Sequence, residues 1–130
     1  MTFQELFSAK EAVEVRINQY WTFWSVVIFG VCGWIFSQGE EGLNYFDKGI
    51  IVGGLIIFFL ANLSVLLSAT KLSLLLHDEI HLKSSQENLS DDFQVRLKNT
   101  EIKCRLRWTI IMHLIIDIAV IAIVLVHSDR

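Results

Sequence analysis

His113 and Asp117 stand four residues apart inside an apolar run, a spacing that puts an imidazole and a carboxyl on one helix face, a turn from each other. Both groups take up and release protons. In hydrocarbon neither stays charged without a partner: a carboxylate at the bilayer centre costs about 2.5–3.5 kcal/mol on insertion scales, so Asp117 must be protonated, paired or wet. Burial and mutual attraction act on the two groups in opposite senses, so the sequence leaves the protonation of the pair open.

Depth adds companions. Asp117 lies ten residues past Arg107, Asn62 nine before Lys71, and Ser25 nine past Arg16, so all three fall near one level. Asn18, Thr22 and Ser25 share a helix face by their spacing. The expectation is a midplane polar layer of Ser25, Asn62 and Asp117, with His113 and Thr22 one turn nearer the basic boundary. Such a layer can line a path for protons or small cations. It can equally hold helices together through hydrogen bonds averaging about 0.6 kcal/mol each.

Three apolar stretches must carry these residues: 17–36, 49–70 and 108–128. Each is about 20 residues, which at about 1.5 Å per residue matches a hydrocarbon core of roughly 30 Å. With 53% hydrophobic residues in 130, the chain reads as one all-α, polytopic membrane domain. Proline is absent, so continuous helices are expected. The net charge of −3 argues against nucleic acid as a partner. Cys32 and Cys104 fall at different depths, which speaks against a disulfide between them. Ser37-Gln38-Gly39 has the small-x-small form of a cleavage site, but the run before it exceeds a signal h-region, and an uncleaved anchor is expected.

Thr2 and Glu5 have capping-box spacing, and Phe3, Leu6, Phe7, Val13 and Ile17 follow at roughly helical intervals. An amphipathic helix over 1–16 is therefore expected. It lacks the Lys/Arg-rich face of a surface-seeking helix, which favours packing on the ends of the other helices. Tyr20, Trp21 and Trp24 at one end of the first span and Trp34 at the other read as interfacial aromatics. The apolar pattern of the second span continues past Lys71 through Leu72, Leu75, Leu76 and Ile80. After a polar break at 84–92, Ser90 can cap a helix in which Phe93, Leu97 and Leu106 lead into the third span. Residues 71–107 thus read as a helical hairpin standing on spans two and three.

Charge sets the expected orientation. Lys10, Arg16, Lys71, Lys83, Arg96, Lys98, Lys103, Arg105 and Arg107 fall on one side, against Lys48 and Arg130 on the other. By the positive-inside rule the N-terminus and hairpin are cytoplasmic and the C-terminus lies outside a cell or inner membrane.

Further candidates are weaker. Gly49 and Gly53, with Ala61, Ser64 and Ser68 on a neighbouring face, allow close approach to span one or to another subunit. His77 and His81 sit one turn apart, a spacing that can hold Zn²⁺, though Asp78 stands where a zinc-protease helix has its Glu and a solvated charged face is the plainer reading. Lys103, Arg105 and Arg107 form a basic collar suited to anionic lipid headgroups. With no phosphate-binding loop, no nucleophile-and-base pattern, and His127 alone at the far end of span three, neither an enzyme nor a cofactor is expected.

These features fit two classes of function. One is a small homo-oligomeric channel, or an effector that alters permeability, with a proton or cation pathway near Asp117. The other is a membrane anchor or scaffold whose hairpin docks a cytoplasmic or membrane partner protein through Leu72, Leu76, Ile80, Phe93 and Leu97.

Overall fold

The computed structural model describes residues 1–37, 43–86, 90–92, 94–95 and 102–126, and among the described residues there is helix but no strand. Three long helices succeed one another: α1 (Phe3–Ser37), α2 (Tyr45–Gln86) and α3 (Ile102–Val126). All three are long and apolar enough to cross a membrane.

The starts of the first two helices are written locally. Thr2 and Glu5 form the reciprocal capping box: the Thr2 backbone N–H donates to Glu5 Oε2 at 2.7 Å, and the Glu5 N–H donates to Thr2 Oγ1 at 3.2 Å. The Thr2 backbone N–H chiefly holds the Glu5 carboxyl below its ordinary value. Asn44 caps α2, its Oδ1 accepting from the Asp47 N–H at 2.8 Å. No proline interrupts either helix, so α1 runs for 35 residues and α2 for 42, about 52 and 63 Å of helix.

The 1–16 segment is therefore not a separate helix. It continues into the first span without a break and packs on the extension of α2, where Lys10 meets His77 and Glu14 meets Ser73. These pairs make α1 and α2 antiparallel. Asn62 meets His113, and Trp24 meets Asp117, so α3 returns antiparallel to α2 and parallel to α1.

Each helix contributes one seam. The buried residues of α1 are Leu6, Val13, Ile17, Trp24, Ile28 and Ile35, in steps of seven and four. Those of α2 from Leu55 to Ser84 recur every three or four residues. Such stripes let side chains interdigitate between nearly parallel axes. The bundle interior is uneven along its length. Trp24, Ile28, Ile35, Leu55, Phe59, Val120 and Val124 close one half with apolar packing, and Lys48 is buried near its end with its ammonium 4.8 Å from the Tyr45 ring centroid. Toward the opposite end the buried positions include Asn62, Thr70, Ser73, His77, Ser84 and Thr109, with Val13, Ile17 and Leu66 as a smaller apolar cluster among them.

Outside, Phe23, Val26, Phe29, Ile57, Leu60, Ile115 and Ile118 are exposed. Apolar surface on this scale is solvated by acyl chains and not by water, in keeping with a membrane protein. Of the hairpin expected over 71–107, the outgoing arm is simply the continuation of α2. Leu72 is exposed, Leu76 half-buried and Ile80 fully buried, while Phe93 and Leu97 lie outside the described residues. Gln94 Nε2 donates to the Ser84 carbonyl at 3.5 Å.

Candidate functional site

Four side chains from three helices form one buried hydrogen-bonded line. On α3 the step from 113 to 117 brings His113 Nδ1 to 2.5 Å from Asp117 Oδ2. From α1, Trp24 Nε1–H donates to Asp117 Oδ1 at 2.9 Å. From α2, Asn62 Nδ2 lies 3.1 Å from His113 Nε2. Relative exposures are 0% for His113, 4% for Trp24, 6% for Asp117 and 8% for Asn62, so bulk solvent does not satisfy these groups.

The placement of the Asn62 amide nitrogen fits one tautomer of His113. An amide nitrogen only donates, so Nε2 of His113 accepts; its proton then sits on Nδ1 and is donated to Asp117. The ring is held from every side: its centroid is 4.7 Å from that of Trp24, 5.8 Å from Trp21 and 6.5 Å from Phe59, the last edge-on. These rings enclose the imidazole, which is 0% exposed.

A second polar cluster lies nearer the basic end of the bundle. Glu14 Oε1 accepts from Ser73 Oγ at 2.5 Å and Oε2 accepts from Arg105 Nη1 at 2.6 Å, so one carboxylate ties all three helices. Burial pushes the Glu14 carboxyl up, but the Ser73 hydroxyl, the Arg105 guanidinium and the Lys10 ammonium outweigh it and hold it below the ordinary glutamate value. One turn away Lys10 Nζ lies 3.2 Å from Nδ1 of buried His77.

Between the clusters α3 keeps a four-residue polar rhythm on its buried side: Arg105 half-buried, then Thr109, His113 and Asp117 buried, after which Val120 and Val124 continue the stripe as hydrocarbon. On α2 Thr70 is buried and turns its hydroxyl to the Leu66 carbonyl at 2.8 Å.

Asp117, His113 and Asn62 are thus brought together. Ser25 is half-buried, and among the described residues the hydrogen bonds to Asp117 come from Trp24 and His113 and not from it. Thr22 is exposed on the outside of α1 and its hydroxyl donates to the Asn18 carbonyl of its own helix at 2.9 Å. Gly49, Ala61, Ser64 and Ser68 lie outside the buried stripe of α2, as does Gly53; a Cβ on either glycine would meet no atom within 4 Å. Within the chain, then, this small-residue face does not pack on α1. Arg105 turns inward to Glu14, Arg107 is exposed, and the Lys103 side chain lies outside the described ones. His77 is buried against Lys10 while His81 is half-buried, and among the described residues no three His, Cys, Asp or Glu side chains gather as a metal site.

Trp24 and Glu14 are the functional side chains that sequence reasoning misses. The signal for Trp24 is its place seven residues after Ile17 on the buried stripe, which an interfacial ring would not need. Fold and site together define a three-helix membrane protein with a buried Asp–His dyad braced by an indole and an amide. The chain matches no known family model, no curated protein and no solved structure.

Proposed function

We propose that this is a small, non-enzymatic integral membrane protein that assembles with further copies of itself and alters membrane permeability to protons or small cations through the Asp117–His113 dyad. The observation that carries the reading is the stripe Arg105, Thr109, His113, Asp117, which leads polar groups from the basic end to mid-helix and stops at Val120. Intramembrane ionisable residues arranged in this way mark ion and proton paths in membrane proteins generally. In a single chain that path ends at the apolar half of the bundle, so passage beyond the dyad takes either movement of Ile28, Leu55 and Val120 or a second subunit. Half-buried Gly53, where a Cβ would meet no atom within 4 Å, and exposed Ala61 and Ser64 suit close approach of another copy. By the excess of Lys and Arg, the end bearing Glu14 and Arg105 faces the cytoplasm.

Reconstitution tests this. Liposomes holding the wild-type chain should dissipate an imposed pH or cation gradient, and Asp117→Asn should stop the flux with the assembly intact. Equal flux from both chains overturns the pathway.

A second reading has its own support. Both oxygens of Asp117 and both nitrogens of His113 are already engaged, which is what interhelical glue requires. On that reading the chain is an anchor or scaffold that docks a partner protein. Silent liposomes together with a loss of stability in Asp117→Asn would favour it.

A further inference from the structure

Each oxygen of Asp117 and each nitrogen of His113 already has a polar partner within hydrogen-bond distance. Asp117 Oδ1 faces the Trp24 indole N–H, Oδ2 faces the His113 Nδ1–H, and His113 Nε2 faces the Asn62 amide N–H. A sodium or potassium ion placed at the dyad would meet three positively polarised hydrogens and would need several oxygen ligands, in a pocket whose oxygens at the dyad are those of Asp117 and Asn62 and in which His113 is 0% exposed. A proton needs one lone pair and almost no volume. Only Nε2 has its lone pair held by a donor that can reverse, because the Asn62 amide carries an acceptor oxygen on the same rotor.

We propose that the site is a single-proton site, selective against metal cations, and that Asn62 reverses its hydrogen bond each time the proton binds. This deepens the permeability reading and rests on it by naming the transported species. In the proposed resting state the imidazole is neutral with its hydrogen on Nδ1 and the Asp117 carboxyl is ionised, so the dyad carries one negative charge. The incoming proton forms a bond at Nε2. If the Nδ1 hydrogen stays, the product is an imidazolium–carboxylate pair; if it crosses to Oδ2, the product is a neutral imidazole and a carboxylic acid. Both products have net charge zero and both carry N–H at Nε2. Wherever the second hydrogen rests, the bond from the Asn62 amide N–H to Nε2 breaks and a bond from Nε2–H to Asn62 Oδ1 forms. The amide turns over in place, and the contact between α2 and α3 changes polarity with the proton. The groups facing His113 are Trp21 and Trp24 on α1, Phe59 and Asn62 on α2, and Asp117 on α3, of which Asp117 is the titratable one. The aromatic rings and the amide do not compete for the proton.

Infrared difference spectroscopy on the full chain in lipid nanodiscs, stepped through pH, reads this without any flux. Isotope-labelled asparagine identifies the Asn62 amide band against the same sample of Asn62→Leu. The expected result is one titration in which the amide band and the carboxyl or imidazole bands move together, with a midpoint unmoved when sodium is raised tenfold or replaced by potassium. A cation binding at the dyad in competition with the proton would shift that midpoint by about one pH unit per tenfold rise. Such a shift, a titration without movement of the amide band, or no titration of the dyad at all overturns the proposal. Should Asn62→Leu fail to fold, Asn62→Gln takes the labelled amide out of that position while keeping a side-chain amide there, and the same band is assigned by difference. Normal titration in a protein whose liposomes are silent would discard the permeability function and keep the proton site; the reverse pattern would do the opposite.

Discussion

Replacing Trp24 by Phe removes the indole N–H and leaves a ring in its place. In the wild type that N–H donates to Asp117 Oδ1 at 2.9 Å, with donor and acceptor residues 4% and 6% exposed, so no solvent stands ready to replace it. A hydrogen bond to an ionised acceptor contributes about 1.5–3 kcal/mol in water-soluble proteins. Between membrane helices the measured average is about 0.6 and the maximum about 1.7 kcal/mol, since separated helices find other partners in the bilayer. With both residues buried, the Trp24–Asp117 bond belongs near the upper end of that range, about 1.5 kcal/mol. Lost indole packing against His113 adds about 1 kcal/mol to the single substitution, so that figure must be separated out. A double-mutant cycle does so: wild type, Trp24→Phe, Asp117→Leu and the double variant, each unfolded reversibly in mixed micelles. The coupling expected is about 1.5 kcal/mol, and a value under about 0.3 kcal/mol would refute the claim that the indole holds the carboxylate.

Glu14→Gln should cost about 1 kcal/mol by weakening its bond with Arg105, read from the same unfolding assay. Because the folded-state Glu14 carboxyl is held below its ordinary value, its stabilisation is present above the unfolded value of about 4.3 and is lost as pH falls through the lower folded value; Glu14→Gln should flatten that acid limb, and an unchanged limb counts against the Glu14 cluster. Gly53→Ala meets open space and should leave the fold unchanged or firmer by up to about 1 kcal/mol, whereas Gly53→Leu should separate assembled subunits without unfolding them, as native mass spectrometry from nanodiscs would report. Stripping divalent metal with a chelator should leave the unfolding midpoint and assembly where they were, since Lys10 already lies against Nδ1 of His77; a lowered midpoint would restore the His77–His81 site.

Composition and local spacing set how much of the molecule is legible in the sequence. Hydropathy places three spans, the Thr2–Glu5 spacing places a cap, and the i, i+4 relation of His113 and Asp117 needs only a helix to become a contact. Counting depth from boundary charges puts Asn62 level with Asp117; it meets the dyad one turn away from that level, at His113. Depth, however, carries no rotational phase. Depth alone sets Thr22 and Ser25 near the dyad, yet the seam of α1 runs through Ile17, Trp24 and Ile28, and Thr22 is left outside it to bond its own backbone. An indole reads equally well as an interface anchor or as a buried donor, and only the presence of a carboxylate on a neighbouring helix decides for Trp24. Glu14, by sequence, is one acid on the polar side of an amphipathic segment. Its role depends on Ser73 and Arg105, which lie 59 and 91 residues away and reach it only when all three helices are assembled. Likewise the outward face of Gly49 and Gly53 is decided by which stripe α2 commits to its seam, where Leu55, Phe59 and Leu66 outweigh glycine in buried hydrocarbon.

The most direct test is proton flux into liposomes under an imposed pH gradient, with wild type and Asp117→Asn reconstituted at equal density and checked for equal assembly. Rapid dissipation by the wild type and its loss in the variant is the result expected of a proton pathway through the dyad. Identical traces from the two chains, whether both leak or both hold, would contradict it.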